Sequence, residues 1–464
     1  MNLGRTLGLP VALILTGCAT QQVPPAPLSA ATAAANLTAR SLHDPDLHRF
    51  LAENLGHDPA EWDFEALSWV AFYYHPSLNV ARAQWATARA VQTSAGVRPN
   101  PTLSLVPGYS TTHEAGISPW FPAINFDFLI QTARKRGYLQ AVAQADAEAA
   151  RLAVFSAAWQ VRSDLRRALA DASVAVRRDS LLRAQAAVQQ RLLTLLEQRL
   201  AAGAVGAAEV SPARTAMYRA QSAAADAASQ AITARARIAA ALGLPLAALD
   251  GVALVPPSVP RTFSDDELAA ARQLSLQSRS DVLAALAKYA ATQATLELEI
   301  AKQQPDFHLG PGYQWDQGVT KWSLALTFEL PIFHRNEAAI AEAVARRAEA
   351  AAQFGAVQAQ AVANVDAAMA AQRAAAAQLD YVRRLRGESE KLSALAGRRL
   401  ELGAADQVEV QSAQLDLATA ETLSADAENA AALAAGQLED ALQVPFNRLD
   451  TLADSTRVNP TPKP

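Results

Sequence analysis

Arg399-Leu400-Glu-Leu-Gly403-Ala-Ala-Asp406-Gln-Val-Glu409-Val410 repeats, 200 positions later, the stretch Arg199-Leu200-Ala-Ala-Gly203-Ala-Val-Gly-Ala-Ala-Glu209-Val210. Leucine, glycine, glutamate and valine keep their places. Three further pairs fall in the same order. Ala241-Leu242-Gly-Leu-Pro245-Leu-Ala-Ala-Leu249-Asp250 corresponds to Ala441-Leu442-Gln-Val-Pro445-Phe-Asn-Arg-Leu449-Asp450, again 200 apart. Pro101-Thr-Leu-Ser-Leu-Val-Pro107-Gly108-Tyr109 corresponds to Pro305-Asp-Phe-His-Leu-Gly-Pro311-Gly312-Tyr313, 204 apart, and Asn125–Ile130 to Thr327–Ile332, 202 apart. A period this long is far beyond the ~20–50 residues of solenoid units, so it marks a duplicated domain rather than a repeat array.

Each half reads in the same order: a helical lead-in (about 64–97 and about 266–302), a β segment, a very long helix, a Gly-containing turn and a helix back. In the second half Trp322, Leu324, Leu326, Phe328 and Leu330 alternate with Lys321, Ser323, Ala325, Thr327 and Glu329. Just upstream, Phe307, Leu309, Tyr313 and Trp315 stand against Asp306, His308, Gly312 and Gln314. In the first half Ile124, Phe126 and Phe128 alternate with Asn125 and Asp127. A period of two with polar residues on one side predicts a sheet with one apolar and one wet face. Each half thus predicts one β-hairpin, over about 101–130 and 305–332. Strands of about ten residues are long enough to cross a bilayer when tilted.

No proline lies between Pro122 and Pro212 or between Pro331 and Pro445. A helix from about Arg134 to Ala201 would be about 100 Å long at 1.5 Å per residue. Leu181, Val188, Leu192 and Leu195 form a helical stripe, as do Val382, Leu385, Leu392 and Leu395 in the other half. These spacings suit a core stripe or a coiled-coil-like contact.

One chain therefore offers four amphipathic strands, which cannot close. Unpaired strand edges in hydrocarbon cost several kcal/mol per lost hydrogen bond, so only a closed barrel is viable, and about eight strands merely fill their interior with side chains. Three chains would supply twelve strands, an even number with room inside. The long helices would continue the cylinder away from the membrane.

At the other end of the chain, Leu15-Thr16-Gly17-Cys18 follows a short apolar stretch, Leu7–Leu15, and Cys18 is the only cysteine in 464 residues. This reads as a secretion signal with a lipobox: cleavage before Cys18 and acylation of the new N-terminus would anchor the chain to a membrane by lipid. Ala19, where an aspartate would mark inner-membrane retention, points to the outer membrane. The expected organisation is a signal peptide over 1–17, a lipidated flexible tether over 18–40, repeats over 41–255 and 256–452, and a disordered tail over 453–464.

Composition excludes other classes. The net charge of −4 offers no basic face for nucleic acid. No stretch after the signal is apolar for the ~18 residues a transmembrane helix needs. None of the seven histidines (His43, His48, His57, His75, His113, His308, His334) stands at metal-ligand spacing, and Met217 and Met369 are isolated. No nucleophile elbow, HExxH or phosphate loop is present, so the chain carries no enzyme signature, no metal site and no cofactor site.

The ordered set resembles the TolC-type outer membrane efflux proteins: the duplication, the Pro-led hairpins at Pro101 and Pro305, the run Leu330-Pro-Ile-Phe-His-Arg-Asn-Glu337, and the two Leu-x-x-Gly turns ending at Gly203 and Gly403. The lipobox is similar to that of the lipoprotein branch. Thr132-Ala-Arg-Lys-Arg136 is similar to the heavy-metal and cation efflux subgroup, with Arg134 where that subgroup more often has glycine. The resemblance implies a mostly α fold with membrane β: a homotrimer with a 12-stranded β-barrel continuous with a long periplasmic α-helical barrel. It implies a passive efflux duct for drugs or metal cations, held in outer membrane lipid by Cys18 and docked to a periplasmic adaptor and an inner-membrane pump. Leu200, Gly203, Leu400 and Gly403 would form the adaptor-docking tips. An acidic ring just past the second turn would fall on Glu409, with Asp406 substituting for a second family acid that is Ser412 here and Glu209 as a third candidate. Three such carboxylates would attract cations and, if crowded, have raised pKa values. Glu209 and Glu409 equally suit the first turn of a helix, where carboxylates favour the dipole. Two other readings remain open: a duct of type I protein secretion, and a lipid-anchored coiled-coil adaptor or structural lipoprotein. An adaptor would have one helical hairpin flanked by split lipoyl-type β halves, where this chain predicts two helical hairpins and two β-hairpins.

Overall fold

The computed structural model describes residues 23–111, 116–255, 265–316 and 318–444. The signal sequence, Cys18, the repeat match at Pro445–Asp450 and the tail lie outside the described residues. In chain order the elements are α1 (Ala30–Thr38), α2 (Pro45–Leu55), α3 (Phe64–Tyr74), α4 (Pro76–Ala95), β1 (Thr102–Val106), β2 (Ala123–Ile130), α5 (Lys135–Ala201), α6 (Ala207–Leu242), α7 (Asp265–Ser278), α8 (Ser280–Ala301), β3 (Phe307–Asp316), β4 (Val319–Phe328), α9 (Glu337–Glu401) and α10 (Gln407–Leu442).

The two long helices, 67 and 65 residues, set the frame. At 1.5 Å per residue each is about 100 Å long. Near the strands α5 packs between α4 and α8, with α9 beyond α8; toward the turns it packs between α6 and α10, with α9 beyond α10. Each half of the duplication thus contributes a long helix and a pair of shorter ones stacked end to end against it. The arc has two free ends: α4 and α6, from the first half, at one, and α9, from the second, at the other.

That asymmetry explains the fate of the two leucine stripes. On α5, in the middle of the arc, Val188 is buried. On α9, at the end of the arc, Leu385, Leu392 and Leu395 are exposed. The first stripe is buried or half-buried, whereas in the second only Val382 packs against a core, beside Leu379 and Ala427.

The turns follow their glycines. Gly203 and Gly403 both have φ +71°. The amides of Ala204 and Ala404 donate to the carbonyls of Arg199 and Arg399, at 2.9 and 2.8 Å. This is the left-handed helix end in which the chain turns back and two last-turn carbonyls are satisfied. The starts of α5 and α9 also match: Arg134 (φ +59°) and Asn336 (φ +63°) both sit in the left-handed region. Asparagine tolerates it, and arginine does not. Arg134→Gly is therefore expected to raise stability by about 1 kcal/mol, read as a higher unfolding midpoint.

Three expectations are corrected. The lead-ins are each two helices, broken at His75 and Arg279, both extended. The first hairpin has strands of only 5 and 8 residues, against 10 and 10 in the second. The stretch expected as a flexible tether up to residue 40 is helical over α1, and Arg40 fastens it to the body by donating to the carbonyls of Tyr74 (3.0 Å) and Gly243 (2.8 Å).

The cores sit at mid-length. Leu42, Leu47 and Leu51 pack with Leu67, Val70, Leu165, Ile238 and Leu242 in the first half. Leu268, Val365, Leu438 and Leu442 form a smaller counterpart in the second. Arg162 and Arg166 on α5 meet Glu439 and Asp440 on α10 beside these cores.

Candidate functional site: the strand faces and the hairpin tips

The strands form one antiparallel sheet in the order β1-β2-β3-β4. Its register gathers the apolar residues on one face. Leu103 lies opposite Phe126 and Leu105 opposite Ile124. Phe128 lies opposite Leu309 and Ile130 opposite Phe307. Leu326 lies opposite Leu309, Phe328 opposite Phe307 and Trp322 opposite Tyr313. This face is uncovered: Trp322 is 79% exposed, and Leu324, Leu326, Phe126, Phe128 and Ile130 are exposed with it. A contiguous apolar patch of this kind marks a surface meant for an apolar environment. Among the described residues no helix is long and apolar enough to cross a membrane.

The opposite face is polar. Asn125 and Ser323 lean over Gly312, where an added Cβ would lie 2.5 and 2.6 Å from their side-chain oxygens. His308, expected on this wet face, has Nδ1 3.0 Å from the Asp127 carboxylate. Among the described residues there is no group of three or more His, Cys, Asp or Glu side chains placed to hold a metal ion.

Where sheet meets helices, Lys135 is buried. Its ammonium donates to the Gln304 carbonyl (2.6 Å) and to Asp306 (2.8 Å). The Thr132 amide also donates to Asp306, at 2.8 Å. The Arg-Lys-Arg segment thus spends its lysine on joining α5 to β3, so this basic residue is structural and says nothing of cargo. Nothing in the sequence marked Asp306 as its partner, 171 residues away.

At the far end the two turns lie side by side. Asp406 caps α10, its carboxylate accepting from the Glu409 amide at 2.9 Å. Its other oxygen lies 3.0 Å from Arg199, across the gap between the hairpins. The cap from the Glu409 amide, and next the Arg199 guanidinium, hold the Asp406 carboxyl below the usual carboxylate range. Within one chain Asp406 meets an N–H group and an arginine rather than another carboxylate. Glu409 pairs with Arg399. Glu209 sits in the first turn of α6 behind Gly206, which offers no side-chain cap. Repeat-equivalent arginines thus take different partners: Arg199 bridges the hairpins, and Arg399 stays within its own. Leu200, Leu402, Gly203 and Gly403 are exposed at these tips.

Residues 271–443 match the family described as "Outer membrane efflux protein". No curated protein sequence matches the chain. The outer membrane protein VceC of Vibrio cholerae superposes with a TM-score of 0.68 at 20% identity, covering 82% of this chain and 96% of that one. The Campylobacter jejuni CmeC outer membrane channel gives 0.65 at 15% identity, over 95% and 98%. The open state of the Neisseria gonorrhoeae MtrE outer membrane channel gives 0.63 at 17%, over 82% and 89%. Residues 271–443 thus match the outer membrane efflux protein family, and along nearly its whole length the chain shares the fold of TolC-type outer membrane channels.

Proposed function

We propose that three copies of the chain close into one duct, a 12-stranded barrel in the outer membrane continued by a helical barrel through the periplasm. In this reading Cys18 carries a lipid anchor, and a periplasmic adaptor and an inner-membrane pump dock on the tips and drive export of drugs or metal cations. The observation that carries the reading is the pair of matched free ends. The sheet ends in β1 and β4, and the helical arc in α4/α6 and α9. Each time one end comes from the first repeat and the other from the second. Such ends make a head-to-tail interface, which closes into a ring when its rotation allows. Exposed apolar residues lie on both ends of the arc: Tyr218 and Ile232 on α6, Tyr381, Leu385, Leu392 and Leu395 on α9. Two helical hairpins on one four-stranded sheet do not suit the adaptor alternative. The test is the mass of the detergent-extracted protein together with its planar-bilayer conductance. A conducting trimer supports the duct; a non-conducting monomer, left soluble by Cys18→Ser, overturns it.

Within this reading the tips are the gate. The Arg199–Asp406 bridge would hold the two hairpins of each copy together and the pore narrow, with Leu200, Gly203, Leu400 and Gly403 forming the docking surface and Glu209 on its rim. An exposed ion pair is worth about 0.2–1 kcal/mol, so three copies of Asp406→Asn shift the closed–open balance by about 0.6–3 kcal/mol, roughly three- to 150-fold in the closed–open ratio. Neutralising Glu409 releases Arg399 into the pore and is expected to enlarge the conductance while weakening cation selectivity. Acid acts in the same direction as Asp406→Asn. Because the folded pKa of Asp406 is depressed, its contribution is complete above the ordinary carboxylate pKa and is lost as pH falls through the lower, folded value. Asp406→Asn should therefore remove acid opening as well as raise conductance at neutral pH. Single-channel recordings of both proteins across pH check this, and unchanged recordings would count against the tip gate.

A further inference from the structure

Among the described residues the connector between β4 and α9 leaves its apolar side chains largely uncovered, on the rim of an open cleft shared with Leu129, Leu139 and Leu298. Phe333 is 97% exposed and Ile332 74%, and Leu330 is exposed with them. The segment is nevertheless fixed at both ends. Phe328 is paired with Phe307 in the sheet. At the other end, the Asn336 side-chain Nδ2 donates to the Glu299 carbonyl and carboxylate, both at 2.9 Å, and the Gln303 side chain donates to the Arg335 carbonyl at 3.0 Å. Between these pins the Ile332 amide donates to the Leu330 carbonyl, a tight bend around Pro331. An arch held in place with bare apolar side chains is already ordered, so a partner can bind it without further loss of chain freedom.

Both free ends of the molecule identify the partner. β4 is the open edge of the sheet on one side and β1 on the other. If β4 pairs with β1 of another copy in the antiparallel sense of the rest of the sheet, the end of β4 meets the start of that copy's β1. The residues after Phe328 then run beside the residues before Thr102. The helices lead to the same place independently. α4 rises toward the sheet and α9 descends from it, on opposite ends of the arc, so in a closed ring an adjacent copy's α4 would lie against α9 with both sheet-proximal ends level. That end of α4 carries Val91 and, just beyond the helix, Val97, which is 67% exposed and followed by Pro99 and Pro101.

We propose that Leu330–Phe333 is a clasp that seats on the Val91–Pro101 segment of an adjacent copy of this chain, sealing the ring where the β-barrel meets the helical barrel. The proposal rests on the ring reading above. Its apolar contact lies just past the last ladder pair of β4, where the sheet itself no longer holds the copies together.

The test is a cysteine pair, Val97→Cys with Ile332→Cys, in the full chain, with Cys18 left in place for its own processing. Mild oxidation should yield covalently linked trimers in denaturing gels run without reductant, and neither single variant should. Phe333→Ala, at a residue bare in the single chain, should leave folding intact and speed trimer dissociation in detergent by about tenfold or more, as expected for losing one buried aromatic side chain. A conducting trimer that neither cross-links nor dissociates faster overturns the clasp while leaving the ring reading intact. A protein that stays monomeric before any oxidant is added overturns the ring, and the clasp with it.

Discussion

Arg166→Ala is expected to cost about 3–5 kcal/mol, because removing one partner of a buried ion pair leaves an uncompensated charge inside. The Arg166 and Glu439 side chains are only 8% and 7% exposed. Arg166 donates to the Gly436 carbonyl at 2.8 Å and to Asp440 at 3.2 Å, and it pairs directly with Glu439. Its guanidinium lies over the Phe64 ring, 4.8 Å from the centroid. Arg162 supplies the second cation, 2.8 Å from Glu439. Two arginines and two carboxylates balance; one arginine and two carboxylates do not. The cluster also fastens α5 of the first half to α10 of the second, so the loss falls on the joint between the repeats. Space is as closely fitted as charge, since a Cβ on Gly436 would lie 2.5 Å from the Arg166 side chain. The pH response has a definite sign. Burial already pushes the Asp440 carboxyl up, against the pull of Arg166. Without Arg166 it is expected to rise further. The folded state then binds more protons than the unfolded state, and stability grows as pH falls through the folded pKa. The variant should therefore melt closer to the parent at about pH 5 than at about pH 7. Thermal unfolding followed by far-ultraviolet circular dichroism reads both effects. A loss below about 1 kcal/mol, independent of pH, would mean that water reaches the cluster and screens it.

Signals carried by local chemistry were legible in the sequence. The 200-residue echo placed α6 and α10 in the same register, Ala207–Leu242 and Gln407–Leu442. The two glycines located the turns, and period-two alternation located the sheet and both its faces. Features set by distant partners were not legible. Arg166 and Glu439 are 273 residues apart and Lys135 and Asp306 are 171, with no periodic pattern to join them, so the basic Arg-Lys-Arg segment looked like a cargo feature. Pro76 could have announced the break at His75, because the residue before a proline is driven out of the helical region. Arg279 has no proline after it. It is held extended by its own contacts, donating to Asp281 and to the Ala441 carbonyl. The candidate site was half legible. The acids at the turn were identified, but not their arginines, because the repeat that made Arg199 and Arg399 equivalent gave no sign that Asp406, standing where the first copy has Gly206, would draw Arg199 across the hairpins.

Leu324→Arg is expected to abolish insertion, whereas Ala325→Arg, one residue on, is expected to leave it intact. The two side chains differ in the face they occupy. Leu324 stands with Trp322 and Leu326 on the uncovered apolar face, and Ala325 lies opposite Gly310 on the polar one. In the proposed barrel a cation on the lipid face near the bilayer midplane costs about 2–4 kcal/mol per chain, and a ring of three would carry it three times, about 6–12 kcal/mol in all. Against a folding stability of about 5–15 kcal/mol for a typical domain, that is enough to keep the barrel from forming. On the polar face the same arginine has water to reach. It should cost little and act on transport instead, with three added cations in the lumen lowering cation conductance. The trimer fraction in membrane extracts and the conductance of whatever inserts separate the two outcomes. If Leu324→Arg inserts normally while Ala325→Arg fails, the faces are reversed and the polar row is the outer surface. If both insert equally well, the sheet does not contact lipid, and its apolar face belongs against protein.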